Sequence, residues 1–363
     1  MSKKIKSIAI YLPQFHPIPE NDSWWGKGFT EWTNVVKAKP RFEGHYQPHL
    51  PADLGFYDLR LEEARLAQEQ LAKTYGIHGF CYYHYWFNGR RLLHEPLDRK
   101  LKNTKEDLPF MMCWANENWT RVWDGGDNEV LLEQNYSLED DYKHIHHLIK
   151  YFKDDRYIKV NGKPVFIIYR PKFFPDIEKT IKIWREEVKH SGFPGLYLGF
   201  SKNIEHLFEP QSRGFDFAFE FQPNFSNGPI KVAVPNNIID LLIRNITKKL
   251  RLKVKDKQKP YFTYESFVNK QIESGFCKNV YPGITPMWDN SARRKQNPFI
   301  LHDSNPEKYK IWLEHIKDNY PWQNMPETFL FINAWNEWAE GNHLEPCQKW
   351  GLKYLEVTNE VLK

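Results

Sequence analysis

Eight short apolar runs punctuate the chain, at 7–14, 78–85, 109–116, 163–170, 196–202, 215–223, 281–289 and 328–338. Each is nearly continuous rather than alternating, the pattern of a strand buried on both faces of a parallel sheet. Between them the period changes to that of a helix, over 58–75, 138–152, 177–190, 237–250, 306–320 and 352–362. Strands alternating with helices imply a parallel sheet. Eight of them in 363 residues favour an α/β fold of the closed (β/α)8 TIM barrel type, as a single domain over 1–363. An open nucleotide-binding sheet would want a Gly-rich turn after an early strand, and the sequence has none. Long polar and aromatic loops follow several strands, the longest being 15–57, and in a barrel these build the functional face.

Composition adds one outlier. Aromatic residues make up 16% of the chain, with 14 Trp, 19 Tyr and 25 Phe, more rings than a core requires. Tyr and Trp offer a flat apolar face with a polar edge, which suits sugar rings. The 51 Lys and Arg against 46 Asp and Glu leave a net charge of +5, too mild for a dedicated nucleic-acid binder. That charge is unevenly placed. Residues 230–260 hold nine Lys or Arg against two Asp, which reads as a basic, solvated insertion between the sixth and seventh strands. The insertion also leaves open a contact with an anionic glycan, a lipid diphosphate or a membrane surface. Cys81, Cys113, Cys277 and Cys347 form no CxxC pair and fit a reducing compartment. The basic, briefly apolar start stops at Pro13, short of a signal peptide, so the expected location is cytoplasmic.

The sharpest chemistry lies at 331–346, FINAWNEWAEGNHLEP, where a buried strand runs into acids and tryptophans. Acidic residues at the inner end of an apolar strand cost stability unless they work there. Glu337 and Glu340 are three apart; on a helical turn their Cβ atoms would lie roughly 5–6 Å apart. Carboxyls at about that separation suit retaining glycoside chemistry. Flanking tryptophans would desolvate one carboxyl and raise its pKa, as a general acid needs. Other strand ends supply a candidate sugar-binding shell: Gln14, His16, Glu31 and Trp32 after the first strand; His84, Tyr85 and Trp86 at the second; Asn116, Glu117 and Trp119 after the third. Glu220 ends the sixth, Trp288 and Asp289 the seventh, with Arg293 and Arg294 beyond, and Asn336, Trp338 and Glu345 surround the acid pair. Such donors and acceptors beside ring platforms match a ligand rich in hydroxyls. Arg293 and Arg294 could bind a phosphate or uronate, or pair with Asp124 or Glu220 as scaffold. Neither a metal nor a cofactor is expected: His144 and His147 share a helix face, but no acid or cysteine completes a ligand set. The acids at 139–141 sit where a helix begins and serve its dipole.

The segment NEWAEG followed by LEP resembles the NEW-x-EG…EP signature of glycoside hydrolase family 99, the endo-acting α-mannosidases and mannanases. The segments at 8–35 (IAIYLPQFHPIPENDSWWGKGFTEWTNV), 78–93 (HGFCYYHYWFNGRRLL), 113–125 (CWANENWTRVWDG) and 288–294 (WDNSARR) resemble a closer group still, the bacterial WbsX-type proteins associated with lipopolysaccharide, O-antigen and other surface polysaccharides. The likeness runs in order over nearly the whole chain. It implies a (β/α)8 barrel and retaining hydrolysis without a protein nucleophile, in which one carboxylate deprotonates the sugar 2-hydroxyl and a 1,2-anhydro sugar forms. By position in the motif, Glu337 would be that base and Glu340 the acid/base. Ala339 after NEW and the NAW before it depart from the strict family. Three functions follow as expectations: a family-99-like glycosidase or transglycosidase acting on an oligosaccharide or polysaccharide, a lipid-linked one included; a glycosyltransferase of lipopolysaccharide assembly; or a catalytically silent glycan-binding protein.

Overall fold

The structure, a computed structural model, describes residues 4–121, 126–203, 208–224, 231–232, 261–294 and 298–363, with backbone only at 126–128, 231–232 and 261. Eight parallel strand positions form the central barrel: β1 (Lys6–Tyr11), β2 (Gly79–Phe87), β3 (Phe110–Trp114), β4 (Lys163–Ile168), β5 (Tyr197–Lys202), β6 (Phe217–Glu220), β7 in two pieces (Val280–Tyr281 and Gly283–Ile284), and β8 (Phe329–Ile332). Each pairs with the next, and β1 closes the circle by pairing with β8, Ala9 opposite Ile332. The architecture is the expected (β/α)8 barrel.

The seventh strand shows how closure is achieved. Tyr281 pairs with Phe219 of β6, while Gly283 and Ile284 pair with Phe331 and Ile332 of β8. Pro282 between them has no N–H to donate, yet its carbonyl accepts from Phe331 N at 3.0 Å. Gly283 is required by close approach, since a Cβ there would lie 1.7 Å from the Glu220 carbonyl oxygen. The run at 281–289 is therefore not one strand. Trp288–Asp289 leaves the barrel and pairs antiparallel with Ile300–His302, in a small sheet that also takes in Tyr261–Thr263 and Lys231–Val232. The last part of the 328–338 run departs likewise, for Asn336–Glu337 pairs antiparallel with Asn342–His343.

Most of the described helices pack around the barrel, while the first two lie in the long loop after β1. In chain order they are α1 (Pro19–Trp25), α2 (Glu31–Val35), α3 (Glu62–Thr74), α4 (Glu95–Lys102), α5 (Leu138–Phe152), α6 (Ile177–His190), α7 (Tyr264–Ser274), α8 (Pro306–Asn319) and α9 (Lys353–Leu362). Side chains stop the unpaired N–H groups at several of their starts. Ser137 accepts from Asp140 N, Asp176 from Lys179 N, and Asn305 from Lys308 N. The expected helix at 237–250 and the basic insertion lie outside the described residues beyond 232. Among the described residues, no helix is long and apolar enough to cross a membrane.

Candidate functional site

The acid pair is placed by a loop stitched to the neighbouring strand. Trp335 N donates to Ile10 O at 2.7 Å. Asn336 accepts from Leu12 N at 2.7 Å and donates back to Leu12 O at 3.0 Å. Glu337 and Glu340 then stand at the two ends of a tight 3-10 turn, Trp338–Glu340, rather than on an α-helix. Gly341 ends the turn at φ 53°, and a Cβ there would sit 3.0 Å from Asp289. A side chain at this position would meet strain and steric conflict together.

Arg293 faces both acids. Its NH1 lies 2.8 Å from Glu340 Oε1, and its NH2 lies 2.8 Å from Glu337 Oε2 and 2.6 Å from Glu31 Oε1. Glu31, the first residue of α2, is fully buried and also accepts from Ala339 N at 3.1 Å, inside the turn that carries the pair. The arginine is held by its own chain segment. Asp289 accepts from Ser291 N at 2.9 Å, and its other oxygen meets both His45 and Gln47 at 2.6 Å. Arg41 NH2 clamps the carbonyls of Ser291 and Arg294 at 3.1 and 2.6 Å.

Three carboxyls around one guanidinium cannot all ionise cheaply. Burial pushes Glu337 upward, to about 8; Arg293 opposes this, while Glu340 and Glu31 reinforce it. Glu340 is raised as well, chiefly by burial, with Arg293 opposing and Glu31 reinforcing. Burial works against the charge of Arg293, but Glu31, Glu337 and Glu340 more than offset it and hold the guanidinium well above its ordinary range. The pair thus combines an accessible protonated form with a fixed positive neighbour.

Both acids open into a cavity of about 270 Å³. It is lined by the polar Gln14, Arg293, Glu337 and Glu340 and by the rings of Trp25, Tyr83, Tyr85, Trp119, Tyr169, Phe221 and Trp288. Glu117 also lines it and is paired with Arg170 Nε at 2.9 Å. Aromatic faces mixed with many polar groups suit a ligand that is apolar on its faces and rich in hydroxyls at its rim.

Of the residues singled out in the sequence, Gln14, Tyr85, Glu117, Trp119, Trp288 and Arg293 join Glu337 and Glu340 at this cavity. The others are placed elsewhere. His84 and Trp86 meet α5: Trp86 Nε1 donates to Asp140, and the His84 and His144 Nε2 atoms are 2.9 Å apart. Asn116 bonds Tyr136 and the backbone of Arg170, Trp32 donates to Tyr57 O, and Asn336 is spent on Leu12. Glu345, buried and pushed up to about 7 by burial, accepts from Tyr57, Gln68 and Trp338 beneath the turn. Asp289 faces His45 and Gln47, and His16 is buried. Glu220 lies near Gln222, at 3.5 Å. Arg293 pairs with Glu31 and the acid pair, not with Glu220; Asp124 lies outside the described residues. Arg294 adds a positive charge that favours the ionised form of Glu340. Of the three histidines of α5, His144 and His147 stack on Trp86 at 4.7 and 5.2 Å, while His146 pairs with Glu187.

Tyr83 and Tyr169, like Trp25 and Phe221, are lining residues that the sequence reading missed. The signal for Tyr83 was present: it lies two positions before Tyr85, and alternate strand residues share a face. Tyr169, one residue beyond β4, carries no comparable signal.

Comparison with known proteins identifies the family and the fold. The sequence model of the family described as "Glycosyltransferase WbsX" matches residues 7–358. Two curated relatives described as "Uncharacterized protein WxcX", from Xanthomonas campestris pv. campestris strains B100 and ATCC 33913, are each 40% identical, over 361 and 359 residues. Each match covers 98% of this chain and 49% of the relative, so the chain spans about half their length. A solved structure described as a glycoside hydrolase-like protein superposes with a TM-score of 0.60 at 13% identity, covering 100% of this chain and 95% of that one. A GH99 endo-α-mannosidase from Bacteroides thetaiotaomicron, bound to bis-tris-propane, gives 0.57 at 12% identity, with 98% and 96% covered. At such identities these two likenesses speak for the shared barrel fold.

Proposed function

The chain belongs to the WbsX family, and from that premise we propose that it breaks or transfers a glycosidic bond of a bacterial surface polysaccharide such as O-antigen. The observation that carries this reading is the buried Glu337/Glu340 pair, bridged by one guanidinium and open to a ring-walled cavity. Both carboxyls lie within hydrogen-bond reach of the same guanidinium, so that one bound sugar can meet a base and an acid together.

In the proposed reaction a sugar ring lies against Trp119, Trp288 or Tyr85 with its anomeric carbon over the pair. Glu337 takes the proton of the 2-hydroxyl, and that oxygen attacks the anomeric carbon. Glu340 gives its proton to the departing glycosidic oxygen, leaving a 1,2-anhydro sugar. Glu340, now a carboxylate, takes a proton from water or an acceptor hydroxyl as it opens the three-membered ring, and Glu337 returns its proton to the 2-oxygen. Each step matches a general acid or base whose pKa is lifted toward neutrality.

The family's description favours a second reading, a glycosyltransferase using a nucleotide sugar. The charged residues described at the cavity are Glu117, Glu337 and Glu340 against Arg293, a balance hostile to a diphosphate. A glycan screen without nucleotide sugar, run on the protein and on Glu340→Gln, separates these readings. Product from the unmodified protein alone supports the glycosidase or transglycosidase; product that appears only on adding nucleotide sugar overturns it. Binding by both with product from neither, donor present or absent, would leave a glycan-binding protein.

A further inference from the structure

Glu31 does not line the cavity, yet it makes the shortest of the three contacts to Arg293, 2.6 Å against 2.8 Å for each member of the pair. It is fully buried and anchored to Ala339 N, and Gln14 Nε2 approaches it at 3.4 Å. The nitrogen it uses, NH2, is the one that also serves Glu337, while Glu340 meets NH1. A third carboxylate is therefore fixed beside one member of the pair and kept out of reach of a sugar.

We propose that Glu31 is a positioning residue that holds the proton of the empty site on Glu337, so that the pair waits in the reverse of its reactive state until a sugar enters. This rests on Glu337 and Glu340 being the reacting pair. With three carboxyls and one guanidinium, full ionisation would leave a buried excess of two negative charges, and taking up one proton relieves it. Glu337 shares its nitrogen with Glu31 and meets that repulsion most directly. Glu31 raises Glu340 too, but Glu340 meets a different nitrogen, NH1, and also feels the charge of Arg294, so its ionised form is the better supported. Of the other ionisable groups at the cavity, Glu117 is paired with Arg170. Tyr83 and Tyr85 from β2 and Tyr169 after β4 are raised by burial and, respectively, by neighbours that include Glu337, Glu337 and Glu340, so their hydroxyls stay protonated.

Reaction needs the opposite arrangement, with Glu337 ionised and Glu340 protonated. A bound sugar supplies both incentives. Its 2-hydroxyl donates to Glu337 and favours the carboxylate, and its glycosidic oxygen accepts from Glu340 and favours the acid. One proton passes from Glu337 to Glu340, and no outside donor is required. Without Glu31 the empty site would lose the bias and would titrate at lower pH.

The test is a carboxyl NMR titration of the full chain labelled with 13C at the glutamate δ-carbon, with no substrate present. The highest-titrating resonance of the pair should vanish in Glu337→Gln and persist in Glu340→Gln. In Glu31→Gln it should move down by about one pH unit or more, given a like charge removed from a poorly screened site. Loss of that resonance in Glu340→Gln, or no movement in Glu31→Gln, overturns the proposal. Should Glu31→Gln fail to fold, Glu31→Asp keeps the charge but lengthens the contact, and must move the same resonance in the same direction by less. The limbs of the kcat/KM profile should shift to lower pH in Glu31→Gln; a lowered but unshifted profile would mean Glu31 is structural only, and would also overturn it. If the unmodified protein turns over no glycoside, the catalytic assignment fails while the titration still decides the bias.

Discussion

Two faces of one strand divide the labour of this barrel. On β2, Tyr83 and Tyr85 face the cavity, beside carboxyls that share a guanidinium. His84 and Trp86, one residue away in each case, face α5 and pack against His144 and His147 at ring separations between 4.7 and 6.0 Å. Both faces bury ionisable groups, but by opposite means. Inside, Arg293 compensates negative charge that would otherwise be expelled. Outside, burial pushes His84 and His144 far below their ordinary range and His147 to about 4, so the stack is neutral. Around β2, the buried charges kept with a partner stand at the cavity, and the buried ionisable groups kept neutral stand in the packing.

The largest test of this contrast is on the inner face. Glu337→Gln should lower turnover by about 10²–10⁴-fold, the usual share of a positioned base. An activated aryl leaving group should not rescue it, and a 2-deoxy glycoside should resist the unmodified protein; rescue would instead make Glu337 the acid. The matching change outside is His144→Ala. It should cost about 2–4 kcal/mol in a urea melt, as removal of a large buried ring does, while specific activity of the folded protein stays within twofold. A collapse of activity at unchanged stability would erase the distinction.

Acid should act on the outer stack too. The folded pKa of each of these histidines is depressed, so the stability it contributes is present above its unfolded value near 6.5 and is lost as pH falls through the folded value. His147 places the main loss toward pH 4, with His16 and His49, also held to about 4 by burial, acting in the same window. The urea midpoint should fall between pH 6.5 and 4, and His147→Gln should flatten that fall; an unchanged slope would contradict a neutral stack. The smallest effect expected is on the cavity wall, where Trp119→Ala should weaken glycan binding by about tenfold through loss of a stacking face. Binding unchanged in that variant would remove Trp119 from the sugar path.

Much of this was legible beforehand. The strand positions followed from continuous apolar runs, and the acid pair from its place at the end of the last one. Which side of a strand faces the cavity was not legible for β2, because nearly every residue of 78–87 is aromatic or apolar and alternation leaves no trace. The partner of Arg293 was equally hidden. Glu31 lies 262 residues away, and only barrel closure brings the two together. The break in β7 is written in Pro282 and Gly283, but the pairing that makes them necessary spans β6 and β8. Local pattern records what is buried; it does not record against what.

The central claim is that a glycosidic bond is processed with retention by Glu337 and Glu340, without an activated donor. Time-resolved proton NMR of the first-formed sugar, in buffer free of nucleotide, addresses it most directly. The account predicts a product with the anomeric configuration of the substrate, appearing before mutarotation, and none from Glu340→Gln. An inverted first product, or one that forms only when a nucleotide sugar is added, would contradict it.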